Sequence, residues 1–178
     1  LLVNTHIALG LVAALVPREF LGIEPVPIEF LLCSLGAIFP DIDEPSSTIS
    51  RPGNLLHPYF PRPVRLTANL IGGTVSKLLK RFVGHRTLTH WPSIPLFLLY
   101  IAIISDNRFL FFFALGFLSH ILGDLVTRQG IPAFAPLSLR SISLFPLRVG
   151  GLLEKLLSAG IWSLLVYYLV AEIFEFNR

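Results

Sequence analysis

Two stretches, LFLLYIAII at 96–104 and FLFFFALGFL at 109–118, decide how this chain folds. Neither has a polar face, and a helix that is apolar all round must meet lipid or a large core. Three further runs, 5–16, 28–39 and 161–174, are nearly as apolar, and the run holding the second stretch extends to 126. Each run falls short of, or barely reaches, the ~18–20 residues that cross a bilayer as a helix. A water-soluble all-helical core is the competing reading, but 178 residues offer too little chain to hide five such helices from water. The expected fold is all-α, an integral membrane bundle of about five apolar helices forming a single domain over 1–178.

Composition agrees. The chain is 53% hydrophobic and 14% charged, with mean hydropathy +0.72, against about 25% charged residues in ordinary soluble domains. That excludes a disordered chain and argues against a typical cytosolic enzyme. One cysteine, Cys33, excludes an intrachain disulfide framework and a Cys-rich zinc module. The first basic residue, Arg18, follows the first apolar run, so that run reads as a first membrane helix and not as a cleaved signal.

If each apolar run crosses once, 40–92 and 127–160 lie on the same side as the N-terminus. That side carries Arg51, Arg62, Arg65, Lys77, Lys80, Arg81, Arg86, Arg128, Arg140, Arg148 and Lys155; the other carries Arg18, Arg108 and Arg178. The asymmetry places the basic side in the cytoplasm. The chain is therefore expected to cross the membrane several times. Within the cytoplasmic segment 41–92, VRLTANLIGGTVSKLLKRF (64–82) interleaves apolar and basic residues. It fits either a helix at the membrane surface among anionic headgroups or a plain helix packed on the bundle. Proline- and glycine-rich stretches mark the joints, notably PREFLGIEPVP and RQGIPAFAPLSLRS.

The five-crossing topology gathers the ionisable residues. His6 opens the first span, and Asp41 and Asp43 in FPDIDEP close the second. His85 and His90 in GHRTLTH precede the third, and His120 and Asp124 end the fourth. Glu154 precedes the fifth. All fall at one membrane face, whereas His57 in LHPYFP reads as an ordinary surface residue. Singly, each has a plain structural explanation, such as a cap or a turn. His120 and Asp124, four residues apart on one helix face, are costly in an apolar run unless paired, hydrated or bound to a cation. Imidazoles with carboxylates suit Zn²⁺, with Mn²⁺ or Fe²⁺ as alternatives, one ion or more. The chemistry implied is metal-assisted hydrolysis. Arg86 would bind an anionic group through its planar fork. Thr87, Thr89, Ser119 and Thr127 would orient the ligands.

The pieces THIALG (5–10), PDIDEPSS (40–47), GHRTLTH (84–90), SHILGDLVTRQGI (119–131) and GGLLE (150–154) resemble, in order and over nearly the whole chain, the YdjM-like family of inner-membrane proteins read as metal-dependent hydrolases. The resemblance implies a helical membrane protein with a divalent-metal site and places His6, Asp41, Asp43, His85, His90, His120, Asp124 and Glu154 in it. Gly150-Gly151 stands where relatives often have Gly-Asn, which leaves Glu154 the least secure. SHILGD is also similar, over a few residues, to the H-x3-D ligand pair of zinc-dependent phospholipase C and the S1/P1 nucleases, which hydrolyse phosphoesters.

The expected function is therefore hydrolysis of a phospholipid or related phosphoester at the cytoplasmic interface. Glu154 or Asp43, whichever is off the metal, would be general base, and Arg86 would stabilise developing charge. The rival readings are a metal- or ion-transport protein and a structural protein whose cation ties helix ends together. Membrane lipid is the expected partner, and nothing points to nucleic acid.

Overall fold

The computed structural model describes residues 1–45, 47–55, 59–83 and 88–176. Among these residues seven helices follow in order: α1 (Val3–Leu21), α2 (Pro27–Ile38), α3 (Pro52–Leu55), α4 (Arg62–Val83), α5 (Ser93–Ile104), α6 (Arg108–Leu125) and α7 (Leu152–Phe176). Two short 3-10 turns, Phe39–Asp43 and Leu88–His90, follow α2 and precede α5. Among the described residues the β structure amounts to isolated bridges, Thr127 with Leu147 and Ile131 with Ile142. The all-α expectation therefore holds.

α6 is the central helix. It packs against α1, α2 and α5, most extensively against α2. Its buried positions Phe112, Gly116, Phe117, His120, Ile121 and Asp124 recur every three or four residues, which puts them on one side. Close approach explains two of its neighbours. A Cβ at Gly116 would lie 1.8 Å from the Cys33 carbonyl oxygen, and one at Gly36 would lie 2.0 Å from that of Phe113. The α2–α6 crossing is thus backbone against backbone, the small-residue packing that membrane helices use where apolar burial gives no net drive. Above it sits a core of Ala14, Cys33 and Phe112; below it, Phe117 and Ile121 pack with Ile131 from the segment after α6.

Helix ends are pinned by local chemistry. α1 ends where Gly22 takes the left-handed conformation, φ 64°, and its N–H reaches back to the last turn. α2 begins with Pro27 at its first position and Glu29 accepting from the Val26 N–H at 2.9 Å. The same carboxylate is buried and takes two hydrogen bonds from Arg108, at 2.8 and 2.9 Å. Nearby, Arg18 donates to Tyr168 and Glu172. These contacts tie the end of α1, the start of α2, the start of α6 and the end of α7 into one polar belt. Since α1 and α7 run into this belt and α2 and α6 run out of it, their other ends meet at the opposite pole.

Two helices among the described residues are long and apolar enough to cross a membrane, Arg108–Leu125 and Leu152–Glu172. The expectation of five finds α5 apolar but only twelve residues long, and α2 of the same length. α1 has nineteen residues, but Asn4, His6, Arg18 and Glu19 dilute it. The two long candidates differ: 44% of the α6 window is buried, against 6% for α7, which touches the rest of the fold mainly along α1. α4 turns its Asn69–Gly72–Ser76 side to α3 and the Phe39–Asp43 turn. It leaves Val64, Ile71, Val75 and Leu78 exposed.

Candidate metal centre

His6 comes from the first turns of α1, Asp41 and Asp43 from the turn after α2, His90 from the turn before α5, and His120 and Asp124 from the last turns of α6. His6, His90, His120, Asp43 and Asp124 are each at most 1% exposed, and Asp41 is partly buried. Expected from separate helix ends, these side chains do meet. His6 and His120 stack with ring centroids 3.8 Å apart, and the His90 ring stands across His120 at 5.3 Å.

The ring nitrogens are sorted by their partners. His120 Nδ1 donates to the Ala37 carbonyl at 2.7 Å, so its Nε2 carries the lone pair. Thr89 Oγ1 donates to Asp43 Oδ2 at 3.0 Å and lies 3.0 Å from His90 Nδ1. With the hydroxyl proton directed at the carboxylate, His90 Nδ1 is the donor to Thr89, and His90 Nε2 is again the bare nitrogen. Second partners of this kind fix tautomer and orientation in metal-binding histidines. Among the described residues, His120 Nε2, His90 Nε2 and both nitrogens of His6 have no hydrogen-bond partner. Buried polar atoms are normally satisfied, so four orphaned nitrogens on three imidazoles in one place call for a ligand.

The spacing suits a cation. His6 Nε2 lies 3.4 Å from Asp124 Oδ1; His90 Nε2 and His120 Nε2 lie 3.6 and 3.7 Å from Asp124 Oδ2. His120 Nε2 is 3.9 Å from Asp41 Oδ1. These separations are long for hydrogen bonds. They approximate the ~3.3 Å edge of a tetrahedron with ligands at ~2.0–2.1 Å. Two groups, His6–His120–Asp124 and Asp41–His90–His120, each bring their ligand atoms within 4.8 Å of one another and could hold a metal ion. Burial raises the Asp41 carboxyl from its ordinary pKa, against the pull of the nearby imidazoles of His6 and His90, which lower it. The Leu1 nitrogen donates to Asp124 Oδ1 at 2.7 Å.

Other expected residues have other places. Asp43 is joined to the cluster through Thr89 and stands outside both groups. Glu154 is fully buried, with Oε1 accepting from the Leu2 N–H and Oε2 from the Gly150 N–H, both at 2.5 Å. It holds the starts of α1 and α7 together. Of the hydroxyls expected to orient ligands, Thr89 does so. Ser119 donates to the Gly116 carbonyl and Thr127 to that of Asp124, which spends both on helix backbone. His85, Arg86, Thr87 and His57 lie outside the described residues. Sequence reasoning missed the Ala37 carbonyl, and it missed Thr5, whose buried Oγ1 beside His6 has no partner among the described residues. A cavity of about 380 Å³ adjoins the cluster at Asp41, lined also by Glu44, Ser47, Thr48, Ile38 and Val149.

The chain is 27% identical over 167 residues to the uncharacterized protein YvsG of Bacillus subtilis (strain 168), an alignment covering 93% of this chain and 92% of that one. No solved structure matches it. The family described as YdjM inner membrane protein matches residues 1–178, and the chain belongs to that family.

Proposed function

We propose that this protein is a membrane-bound hydrolase that uses divalent metal, zinc or in its place manganese, to cleave a phospholipid or a related phosphoester at the cytoplasmic interface. The observation that supports it best is the set of buried, hydrogen-bond-free imidazole nitrogens facing Asp124 beside a cavity that reaches Asp41. His6, His90, His120, Asp124 and Asp41 would hold the cation. Held there, a divalent cation would supply Lewis-acid polarisation of the scissile phosphoryl group and a more acidic attacking water.

The chain's own residues do the rest. The Ala37 carbonyl and the Asp43–Thr89 pair hold two imidazoles in the tautomer that offers Nε2. Asp43, linked to the cluster but outside both ligand groups, is the better general base. Glu154 has each of its oxygens engaged by a backbone N–H, which favours a positioning role. Arg86, next to His85 in sequence, would neutralise the anionic group; its part rests on sequence position alone. In this reading α1, α2, α5, α6 and α7 all cross the membrane, α4 lies along the cytoplasmic surface, and the excess of Lys and Arg on the cluster's side sets the orientation.

The test is hydrolysis by the purified full-length protein in nanodiscs, after chelation and after reloading with Zn²⁺ or Mn²⁺, on a panel of phospholipids and soluble phosphoesters. Reloading is expected to restore turnover that chelation removes, and His120→Ala to lose both metal and turnover. Metal-loaded protein inert on the whole panel overturns the substrate class. Metal-dependent flux through proteoliposomes without hydrolysis would replace this reading with transport.

A further inference from the structure

We infer that the cluster holds two cations side by side with Asp124 bridging them, rather than one cation shared by all its ligands. The inference rests on the metal-dependent reading above and deepens it. An imidazole lone pair lies in the plane of its ring, so a cation bound at Nε2 sits in or near that plane. The His6 and His120 rings stack with centroids 3.8 Å apart and an angle of 12° between planes. Both present Nε2 to Asp124. Two nearly parallel planes at that spacing leave no point that both lone pairs reach along their own directions.

The carboxylate is divided in the same way. Asp124 Oδ1 faces His6 Nε2 at 3.4 Å, and Oδ2 faces His120 Nε2 at 3.7 Å. His90 joins the His120 side: its Nε2 lies 3.6 Å from Oδ2, and its ring stands at 75° to His120, so the two ring planes cross and one cation can lie in both. Asp41 Oδ1 lies 3.9 Å from His120 Nε2. One cation thus receives His90, His120, Asp41 and Asp124 Oδ2, a filled set of two nitrogens and two oxygens. The other receives His6 and Asp124 Oδ1, displacing the Leu1 nitrogen that lies 2.7 Å from that oxygen, and its remaining coordination positions are open. Because the Ala37 carbonyl occupies His120 Nδ1, His120 has a single nitrogen to give and serves one cation. The ring spacing would set the ions apart by about the ~3.5–4 Å of hydrolytic two-metal sites. The filled position anchors; the open position, at His6, is where water and substrate bind.

The test uses full-length protein in nanodiscs, stripped of metal and titrated with Mn²⁺ alone. Bound ions per chain are counted by elemental analysis after gel filtration, and the electron paramagnetic resonance spectrum reads whether they are coupled. The expected result is two Mn²⁺ per chain with an exchange-coupled spectrum. His6→Ala should retain one ion with an uncoupled spectrum, and Asp124→Asn should abolish coupling. A single uncoupled Mn²⁺ in the wild type overturns the paired site while leaving a one-metal hydrolase standing. No Mn²⁺ or Zn²⁺ at all overturns the metal reading itself. Two coupled ions in His6→Ala overturn the assignment of His6. If a variant does not fold, the wild-type count and spectrum still decide.

Discussion

Replacing Gly116 with alanine tests whether the α2–α6 crossing sets the geometry of the cluster. The new Cβ would sit 1.8 Å from the Cys33 carbonyl oxygen and 2.6 Å from its carbon, where real Cβ contacts are essentially never under 3.0 Å. The obstacle is helix backbone, so no rotamer change relieves it, and the helices must part by about an ångström or more. Overpacking of this kind costs about 1–3 kcal/mol, and each kcal/mol lowers the melting temperature of a chain this size by roughly 2–4 °C. The site should feel it more sharply. His120 lies one turn beyond Gly116 on α6, and its Nδ1 bonds the Ala37 carbonyl of α2 at 2.7 Å, across the same crossing. An added ångström puts that bond beyond the range of a good hydrogen bond. Losing such an orienting partner typically weakens metal binding 10–100-fold. The assay is Zn²⁺ competition against a chromophoric chelator, with thermal unfolding of the same detergent-solubilised sample. Gly160→Ala is the control, because nothing lies within 4 Å of a Cβ there, and its melting temperature should be unchanged or raised. Wild-type Zn²⁺ affinity in Gly116→Ala would refute the claim that helix packing positions His120.

Three shorter predictions follow from the same contacts. Thr89→Val keeps the shape but removes the hydroxyl between Asp43 and His90, and should weaken Zn²⁺ about 10–100-fold with little change in melting temperature, read by the same competition. Glu154→Gln replaces one acceptor by an amide donor facing a backbone N–H. It should cost about 1–3 kcal/mol, read by thermal unfolding, while the bound metal count stays at the wild-type value. Neutralising Lys77 and Arg81 to Gln on the exposed side of α4 should weaken its insertion into anionic bilayers by about fivefold per charge. The readout is fluorescence of a probe at Ile71→Cys in a Cys33→Ala background, and insensitivity to anionic lipid would remove α4 from the membrane surface.

The helices were legible because their signals are local. The five apolar runs became α1, α2, α5, α6 and α7, and the amphipathic stretch 64–82 became α4. The chief boundary error is instructive. The last run reads as apolar from 161, but α7 starts at Leu152, because Glu154 is buried at the helix start, where its carboxylate meets backbone N–H groups instead of ending the element. His120 and Asp124 were legible from their four-residue spacing. The separation of Asp41 from Asp43 was not. FPDID folds as a 3-10 turn, which advances about 120° per residue. Residues two apart therefore diverge, sending Asp41 toward His120 and Asp43 toward Thr89. The Ala37 carbonyl left no trace because a backbone acceptor has no residue type of its own.

The helix lengths also bear on what the proposed enzyme could reach. His120 stands twelve residues along α6 from Arg108, a rise of about 18 Å. His6 stands the same number of residues from Arg18 on α1. The Arg18–Glu172 and Arg108–Glu29 pairs mark one polar boundary of the bundle, and a hydrocarbon core is about 30 Å thick. With those pairs at the far interface, the cluster lies below the near headgroups, or the bilayer thins around it. Irregular backbone at that depth is tolerated where protein buries it or it lines a cavity. The 3-10 turn at Phe39–Asp43, with Pro40 and Asp43 buried and Asp41 lining the adjoining cavity, has that setting. A recessed site reaches the ester bonds near the glycerol of a lipid more readily than the outer edge of its headgroup. On the proposed reading, substrates should be ranked by the depth of the scissile bond, with lipids cleaved ahead of water-soluble esters carrying the same phosphate.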